Sequence, residues 1–317
     1  MFTRELRAVK LRDLPLLRRL MDNGCILNSE LGLTCDVITP HVSGVLLPKR
    51  GLYTLLVRVN GLAVVGQIRV RPDDPNAHMV FIAPRIETEG DEDTAWLHLL
   101  DAMAQEAGRR GAHTLTAEVD ESSTLFETMR IAGFAIYARQ EIWRYEAGAL
   151  PPPQDVVELD EMTSADKVGI QSLHAQTTPR MVQQLADFGA RGYVYRENER
   201  IVGYVAVSEG KYGVYLMPCL HPDTYKRAPA ILMAAAARAN RAAKVPVYVR
   251  VRRYQEWLEN ALTGLGFESW TQQAVMVRHI AAGIRHAAFA PLTHALDAKP
   301  ASAGRVTESI MDLPKQE

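Results

Sequence analysis

The chain has 317 residues, of which 47% are hydrophobic and 23% are charged, and its formal net charge is −1. This length favours two domains, and this composition is typical of a globular protein with a hydrophobic core. A nearly neutral chain offers no overall positive field for nucleic acid or an anionic membrane surface. The longest apolar stretches fall short of the roughly 18 residues that a membrane-spanning helix needs.

The cysteines and histidines indicate a reduced, metal-free protein. The three cysteines, Cys25, Cys35 and Cys219, form no CxxC pair, as expected of reduced thiols. The nine histidines are scattered, without an HxxxH motif or a His/Cys cluster, so no metal site is expected. No apolar signal region follows Met1. We therefore expect a cytoplasmic protein.

Alternating helical and strand patterns fill the first half of the chain. Asp13 is expected to cap the first helix, Asn60-Gly61 is a strong hairpin signal, and residues 25–50 predict at most one helix. The predicted elements, in chain order, are a strand at Leu6–Val9, a helix from Asp13 to Gly24, a hairpin of Tyr53–Val59 and Leu62–Val70, a strand at His78–Ala83, a helix over Thr94–Gly111, a strand at His113–Val119, a helix over Ser122–Ala132 and one or two strands over Phe134–Tyr145.

The proline run Pro151–Pro153 predicts an extended linker, after which the same order of elements begins again. Ser164 opens a helical stretch that is expected to break near Pro179. The remaining predictions are a strand at Val156–Leu159, a hairpin of Gly192–Glu197 and Arg200–Ser208, a strand at Tyr212–Met217, a helix over Pro229–Lys244, a strand at Val245–Val251, a helix over Gln255–Leu265 and a last strand at Ala274–His279.

The two halves match each other as an internal repeat. Three pairs share a spacing of 133 residues: Leu125 with Leu258, Gly133-Phe134 with Gly266-Phe267, and Gln140 with Gln273. Several matches in one order and register are hard to obtain by chance, so they indicate a duplication. The predicted domains are residues 1–147 and 155–280, with a linker at 148–154 and an extension at 281–317 that is expected to be disordered after residue 298.

Each half has the order strand, helix region, three-stranded meander, helix, strand, helix, Gly-Phe and strand. With the segments Asn60–Gly66, Ile131–Phe134, Tyr195–Tyr204 and Leu262–Phe267, this order resembles the GNAT acetyltransferase superfamily. The resemblance implies an α/β (α+β) protein of two tandem GNAT-like domains, each a mixed, mostly antiparallel sheet flanked by helices. It also implies that the fourth and fifth strands of a half splay apart to admit acetyl-CoA.

The same resemblance places the pyrophosphate at the start of the helix after the fourth strand, where unpaired amides and the helix dipole attract anions. In the first half, the acidic segment Glu87–Thr94 would repel a polyphosphate, so we expect this half to be free of cofactor. In the second half, small and basic residues stand at these positions, and we expect acetyl-CoA to contact Leu220, His221, Lys226, Arg227, Ala228 and Ala230.

Catalytic residues are not identified by the sequence. Many family members use a tyrosine four residues before the glycine of Gly-Phe as the general acid, but here those positions are Met129 and Leu262. Tyr254, Cys219 and His221 are candidate replacements, but a packing or loop role explains each of them better than catalysis does.

One charge pattern distinguishes the two fifth strands. Arg250 and Arg252 stand at positions equivalent to Glu118 and Asp120. These side chains could form two solvated faces, the arginines could bind an acidic acceptor or the cofactor, or the two charged faces could meet between the halves.

These observations favour an N-acetyltransferase that moves an acetyl group from acetyl-CoA to an amine of an unidentified acceptor. The alternative is a non-catalytic, degenerate GNAT-like module that binds CoA or another protein. No nucleic acid or membrane partner is expected, and the sequence does not indicate the oligomeric state.

Overall fold

The computed structural model describes residues 4–35, 51–72, 74–86, 94–148, 150, 155–185, 189, 191–240 and 244–280. The expectations for the acidic segment 87–93, for the proline run and for the extension 281–317 lie outside the described residues. The predicted domain boundaries stay predictions, because the described parts of both halves lie within one compact unit.

The described residues form thirteen strands and eight α-helices. The strands are β1 Arg4–Ala8, β2 Cys25–Ile26, β3 Leu52–Val59, β4 Leu62–Val70, β5 Asn76–Ala83, β6 Thr114–Val119, β7 Ala135–Tyr145, β8 Asp160–Glu161, β9 Gly192–Glu197, β10 Arg200–Glu209, β11 Val214–Leu220, β12 Val247–Arg252 and β13 Glu268–His279. The helices are α1 Leu14–Met21, α2 Ser29–Thr34, α3 Thr94–Arg109, α4 Thr124–Ile131, α5 Lys167–Thr177, α6 Arg180–Gln183, α7 Ala228–Ala239 and α8 Glu259–Gly264.

All of these strands belong to one sheet, and the last strands of the two halves change places in it. The order is β1-β3-β4-β5-β6-β13-β7-β12-β11-β10-β9-β8, with β2 attached to β5. The last strand of the second half, β13, therefore pairs with β6 of the first half, and β7 of the first half pairs with β12 of the second. Neither half completes its sheet without a strand of the other.

The centre of this exchange is a contact between two equivalent residues. In the antiparallel pair β7–β13, Gln140 lies directly opposite Gln273, and its Nε2 donates to Oε1 of Gln273 at 2.9 Å. These are the two glutamines that the 133-residue repeat relates. A residue that meets its own equivalent marks a twofold axis, so the two halves pack around a pseudo-twofold axis at this pair.

Hydrophobic cores lie on both faces of the sheet in each half. On one face, α3 and α4 cover the first half through residues such as Leu99 and Met129, and α7 and α8 cover the second through Ile231 and Leu262. On the opposite face, the covering helices are α1 in the first half and α5 in the second. We call this second face the α5 face.

Most predicted elements are confirmed, including both hairpins and the helix break at Pro179. The strand predicted at Val156–Leu159 is wrong, since pairing starts only at Asp160. Leu159 instead packs in the core that α7 and α8 cover, and its carbonyl accepts a hydrogen bond from Arg238. This segment therefore lies against the α7 side and does not pair with β9.

Asp13 stands before α1 as predicted, but its side chain makes no capping hydrogen bond. The carboxylate accepts hydrogen bonds from Nη1 and Nη2 of Arg7, at 2.5 and 2.8 Å, and from the amide of Lys10 at 2.8 Å. A bidentate, charge-assisted contact is stronger than a neutral one. Asp13 thus ties α1 to β1, and the predicted capping role was wrong.

The first half also docks on the second through the end of α2. The carbonyl of Thr34 accepts the amide of Tyr212 at 3.2 Å, in the turn that joins β10 to β11. A Cβ atom at Gly210 in this turn would collide with the same carbonyl.

We predict that Gly210→Ala lowers the free energy of unfolding by about 1–3 kcal/mol, because α2 must move away from the turn. Urea denaturation measures the change. Gly264→Ala is the matched control, since a Cβ there meets nothing within 4 Å. Equal stability of the two variants would show that this docking contact is unimportant.

Candidate functional site

Each half contains a pair of parallel strands that separate along their length. Strands β5 and β6 pair only over Asn76–His78 and Thr114–Thr116, and β11 and β12 pair only over Val214–Leu216 and Val247–Val249. All four strands continue beyond these short pairings. The separation of the fourth and fifth strands that was expected from the sequence is therefore present in both halves.

The gap of the first half is closed by backbone. Cys25 and Ile26 pair with β5 as strand β2. The next residue, Leu27, donates its amide to the carbonyl of Val80 and accepts the amide of Glu118 on β6, both at 2.9 Å. The chain itself thus forms a short bridge between β5 and β6.

Among the described residues, one side chain bridges the gap of the second half. Nε2 of Gln255 donates to the carbonyl of Pro218 on β11 at 2.8 Å, and Oε1 of Gln255 accepts the amide of Arg252 at 3.4 Å. A side chain leaves such a position by rotation about its χ angles, whereas Leu27 could leave only with its backbone. The two gaps therefore differ in what it takes to open them.

The predicted cofactor residues lie around the turn between β11 and α7, and the structure divides them into two groups. Leu220 and Ala228 pack in the core that α7 and α8 cover, and Ala230 is also buried. Lys226 and Arg227 are exposed. His221 is half-buried, with its Nδ1 3.3 Å from the amide of Asp223, which it accepts.

The backbone of this turn is largely occupied by its own hydrogen bonds. The amides of Thr224, Tyr225, Arg227 and Ala228 donate to carbonyls three residues earlier, at 2.8–3.3 Å. An anion at this helix start therefore meets few unpaired amides in the described conformation. The exposed cations Lys226 and Arg227 are the groups available to it.

The catalytic candidates are also divided by the structure. Met129 and Leu262 are fully buried in the cores. Cys219 and Tyr254 line a cavity of about 40 Å³ on the α5 face beside the second gap, which we call the gap cavity. His221 is not among its lining residues. His174, which the sequence reasoning missed, lies in the wall of the gap cavity.

The pKa values of His174 and Cys219, which line the gap cavity, are both shifted. Burial, with the nearby charges of Arg250 and Arg252, lowers the pKa of His174, so its imidazole is neutral at neutral pH. Burial raises the pKa of the Cys219 thiol, which is therefore protonated. The signal for His174 in the sequence is its helical spacing from Ile170 and Leu173, which face the core.

No family model matches this chain, and no curated protein matches it. Among solved structures, it is similar to a GCN5-related N-acetyltransferase from Sphaerobacter thermophilus, with a TM-score of 0.56 at 14% identity over 87% of this chain and 96% of that one. It is similar as well to a tandem GNAT protein from the clavulanic acid biosynthesis pathway, solved without acetyl-CoA, with a TM-score of 0.53 at 13% identity over 88% and 99% of the two chains. The fold is that of a tandem GNAT protein.

Neither a membrane span nor a metal-binding cluster is present among the described residues. No helix there is long and apolar enough to cross a membrane. No group of three or more His, Cys, Asp or Glu side chains there could hold a metal ion.

A groove of about 770 Å³ opens beside Gln140 and Gln273. Its wall includes Glu141, Glu256 and Glu259. Burial and the other two carboxylates raise the pKa of Glu259. Such a concentration of negative charge opposes a polyphosphate, so this groove is unsuited to the phosphates of CoA.

The charged fifth strands meet across the exchanged strands on the α5 face. Glu118, Arg250 and Arg252 line one cavity of about 50 Å³, which we call the central cavity. Asp120 is exposed and hydrogen-bonds to Ser122. Of the three alternatives for these charged strands, a meeting of the two faces therefore holds for Glu118 and not for Asp120, which follows the end of β6.

Long-range electrostatics couple these three residues without a direct ion pair. Burial opposes ionisation of Glu118, but Arg252, Ser29 and Arg250 outweigh it and lower the pKa of Glu118. Burial and the repulsion of Arg250 together exceed the attraction of Glu118 and lower the pKa of Arg252 to about 10. The fold therefore stabilises the charge of Glu118 and destabilises that of Arg252.

We predict that Arg252→Met raises the free energy of unfolding by about 1–3 kcal/mol, because methionine keeps much of the packing and removes an unfavourable buried charge. Thermal and urea denaturation at pH 7 measure the change. Arg253→Met, at an exposed neighbour, is the control and is expected to be nearly neutral. A marked loss of stability for Arg252→Met alone would contradict this prediction.

Proposed function

We propose that this chain is an N-acyltransferase that moves an acetyl group from acetyl-CoA to an amine, with acetyl-CoA held in the second half. The observation that supports this most is the asymmetry of the two gaps. Backbone fills the first gap at Leu27, whereas only the side chain of Gln255 bridges the second among the described residues. The second gap is therefore the one that can open without unfolding a strand.

In this proposal, the phosphates of acetyl-CoA lie at the start of α7. Lys226 and Arg227 provide the positive charge, and His221 lies beside them. The buried residues Leu220, Ala228 and Ala230 form the small, apolar wall beneath. Because the amides of this turn are occupied by internal hydrogen bonds, the side-chain cations carry more of the binding than in a glycine-rich phosphate loop.

Acetyl-CoA supplies a thioester, from which an amine nitrogen takes the acetyl group as the N–C bond forms and the C–S bond breaks. The amine must lose a proton before or during attack, and the departing sulfur must gain one. In the gap cavity, we assign the first role to the neutral imidazole of His174. We assign the second to the protonated thiol of Cys219 or the phenol of Tyr254. Positioning both reactants in this cavity supplies much of the rate enhancement.

One observation favours a second candidate, a non-catalytic module with a degenerate site. In the described conformation both gaps are bridged by the chain's own atoms, and the tyrosine positions hold Met129 and Leu262. A module of this kind would bind no acetyl-CoA, or would bind it without turnover.

We predict that acetyl-CoA raises the melting temperature by mass action, by an amount equivalent to about 2.7 kcal/mol at a concentration 100-fold above Kd. Lys226→Glu/Arg227→Glu should weaken binding by about tenfold or more, because both proposed phosphate contacts become repulsive. Differential scanning fluorimetry and calorimetric titration measure the two effects.

Lys167→Glu is the matched control, because Lys167 is an exposed cation at the start of α5 in the same half. No shift of the wild type at millimolar acetyl-CoA would reject the proposed function, and an equal loss in the control would reject the assigned phosphate site.

A separate prediction concerns the bridge across the second gap. Gln255→Ala should tighten acetyl-CoA binding, because the glutamine side chain no longer occupies the gap that acetyl-CoA must enter. It should also lower the stability of the free protein by about 1–3 kcal/mol, because the carbonyl of Pro218 loses its partner. Parallel titrations of acetyl-CoA into both proteins test this. Weaker binding to Gln255→Ala would show that the glutamine is part of the binding site and does not close it.

A further inference from the structure

The central cavity contains buried polar groups that the described residues leave without a partner. Arg252 is only 6% exposed, and its Nη1 has no hydrogen-bond partner in the described structure. Tyr215 is 1% exposed, and its hydroxyl is likewise without a partner there. Both residues line this cavity. Buried polar groups are nearly always hydrogen-bonded, so these two indicate a missing partner.

The charges around these groups identify the missing partner as an anion. Glu118 is the acid that attracts Arg252, yet it accepts the amide of Ser29 at 2.7 Å and forms no ion pair within 4 Å with Arg250 or Arg252 among the described residues. Arg250 lies close enough to Arg252 to repel it, and its own Nε is buried without a partner there. A buried guanidinium that lacks a partner is strongly unfavourable, and a bound oxyanion would supply one.

The kind of anion is limited by the size of the central cavity. Arg69, Arg71, His78 and Glu30 also face it. The cavity holds about 50 Å³, room for a group of few heavy atoms. A carboxylate is planar, singly charged and matched to the guanidinium fork. These properties favour a carboxylate over a phosphate.

The two arginines also border the gap cavity, where His174 and Cys219 lie. A ligand whose carboxylate binds Arg252 would extend its other end toward this second cavity, next to the gap between β11 and β12. The amine to be acetylated would then lie beside His174. Amine and carboxylate must be only a few bonds apart, because both cavities are small.

We propose that the acceptor is a small amino acid whose carboxylate is bound by Arg250, Arg252 and the hydroxyl of Tyr215. The binding site for the carboxylate stands on the geometry of the central cavity. The identity of the ligand as acetyl acceptor rests on the proposed function.

The test is a binding measurement without acetyl-CoA. Thermal shifts of the full chain are recorded with each of the twenty common amino acids. They are also recorded with methylamine, ethylamine and ethanolamine, which match glycine, alanine and serine without the carboxylate, and with phosphoethanolamine. At least one amino acid is expected to stabilise the wild type, and the three amines are expected not to. Arg252→Gln should weaken amino-acid binding about 10–100-fold, the effect of losing one or two charge-assisted hydrogen bonds.

Arg253→Gln is the matched control, because Arg253 is exposed and lines neither cavity, and it should bind as the wild type does. Tyr215→Phe provides a second variant that removes only the hydroxyl, so the proposal stays testable if Arg252→Gln fails to fold. It should bind several-fold more weakly than the wild type.

Absence of a shift with every amino acid would overturn the proposal, as would equal binding by the wild type and Arg252→Gln or Tyr215→Phe. A larger shift with phosphoethanolamine than with any amino acid would overturn the carboxylate assignment. Amino-acid binding that depends on Arg252, with no acetylation of that amino acid by acetyl-CoA, would support the carboxylate site and reject the amino acid as the acetyl acceptor.

Discussion

The exchange of β7 and β13 is the constraint on which the rest of this structure depends. Because β13 pairs with β6 and β7 pairs with β12, backbone hydrogen bonds hold the centre of the sheet together across the boundary between the two halves. This pairing sets Gln140 against Gln273 and brings Glu118 to the same cavity as Arg250 and Arg252. The central cavity therefore exists only because β7 and β13 are exchanged, and it belongs to neither half alone.

The two halves close the gap between their parallel strands by different means. A gap between parallel strands is present in both, but the first is closed by the backbone of Leu27 and the second by the amide of Gln255. A closed gap adds backbone hydrogen bonds and rigidity to the first half. The second half keeps a polar opening with His174, Cys219, Arg250 and Arg252 beside it. In the proposed function, the first copy supports the shape of the site and the second supplies its chemistry.

Local signals in the sequence predicted most of the elements, and the repeat spacing predicted that Gln140 and Gln273 are equivalent. The strand exchange was not predictable, because the alternation of side chains determines which face of a strand is buried and not which strand lies beside it. The role of Asp13 was missed because Arg7, six residues away, competes for its carboxylate. The small residues Ala228 and Ala230 fit a phosphate loop and a helix packed on a core equally well, and their burial became visible only with the packing of α7. Gln255 and His174 depend in the same way on how their helices face the gap.

The contact between Gln140 and Gln273 is one that two separate, identical subunits would make at a symmetry axis. In such a dimer every substitution appears twice, so an arginine in place of Glu118 would bring a second arginine to the cavity and remove the carboxylate. Joining the two copies in one chain removes this restriction. Each wall of the shared cavity can then evolve its own charge, and an acid can stand opposite a base at positions that symmetry would force to be alike. The asymmetric charge of the central cavity is thus a freedom gained by covalent fusion of a symmetric pair.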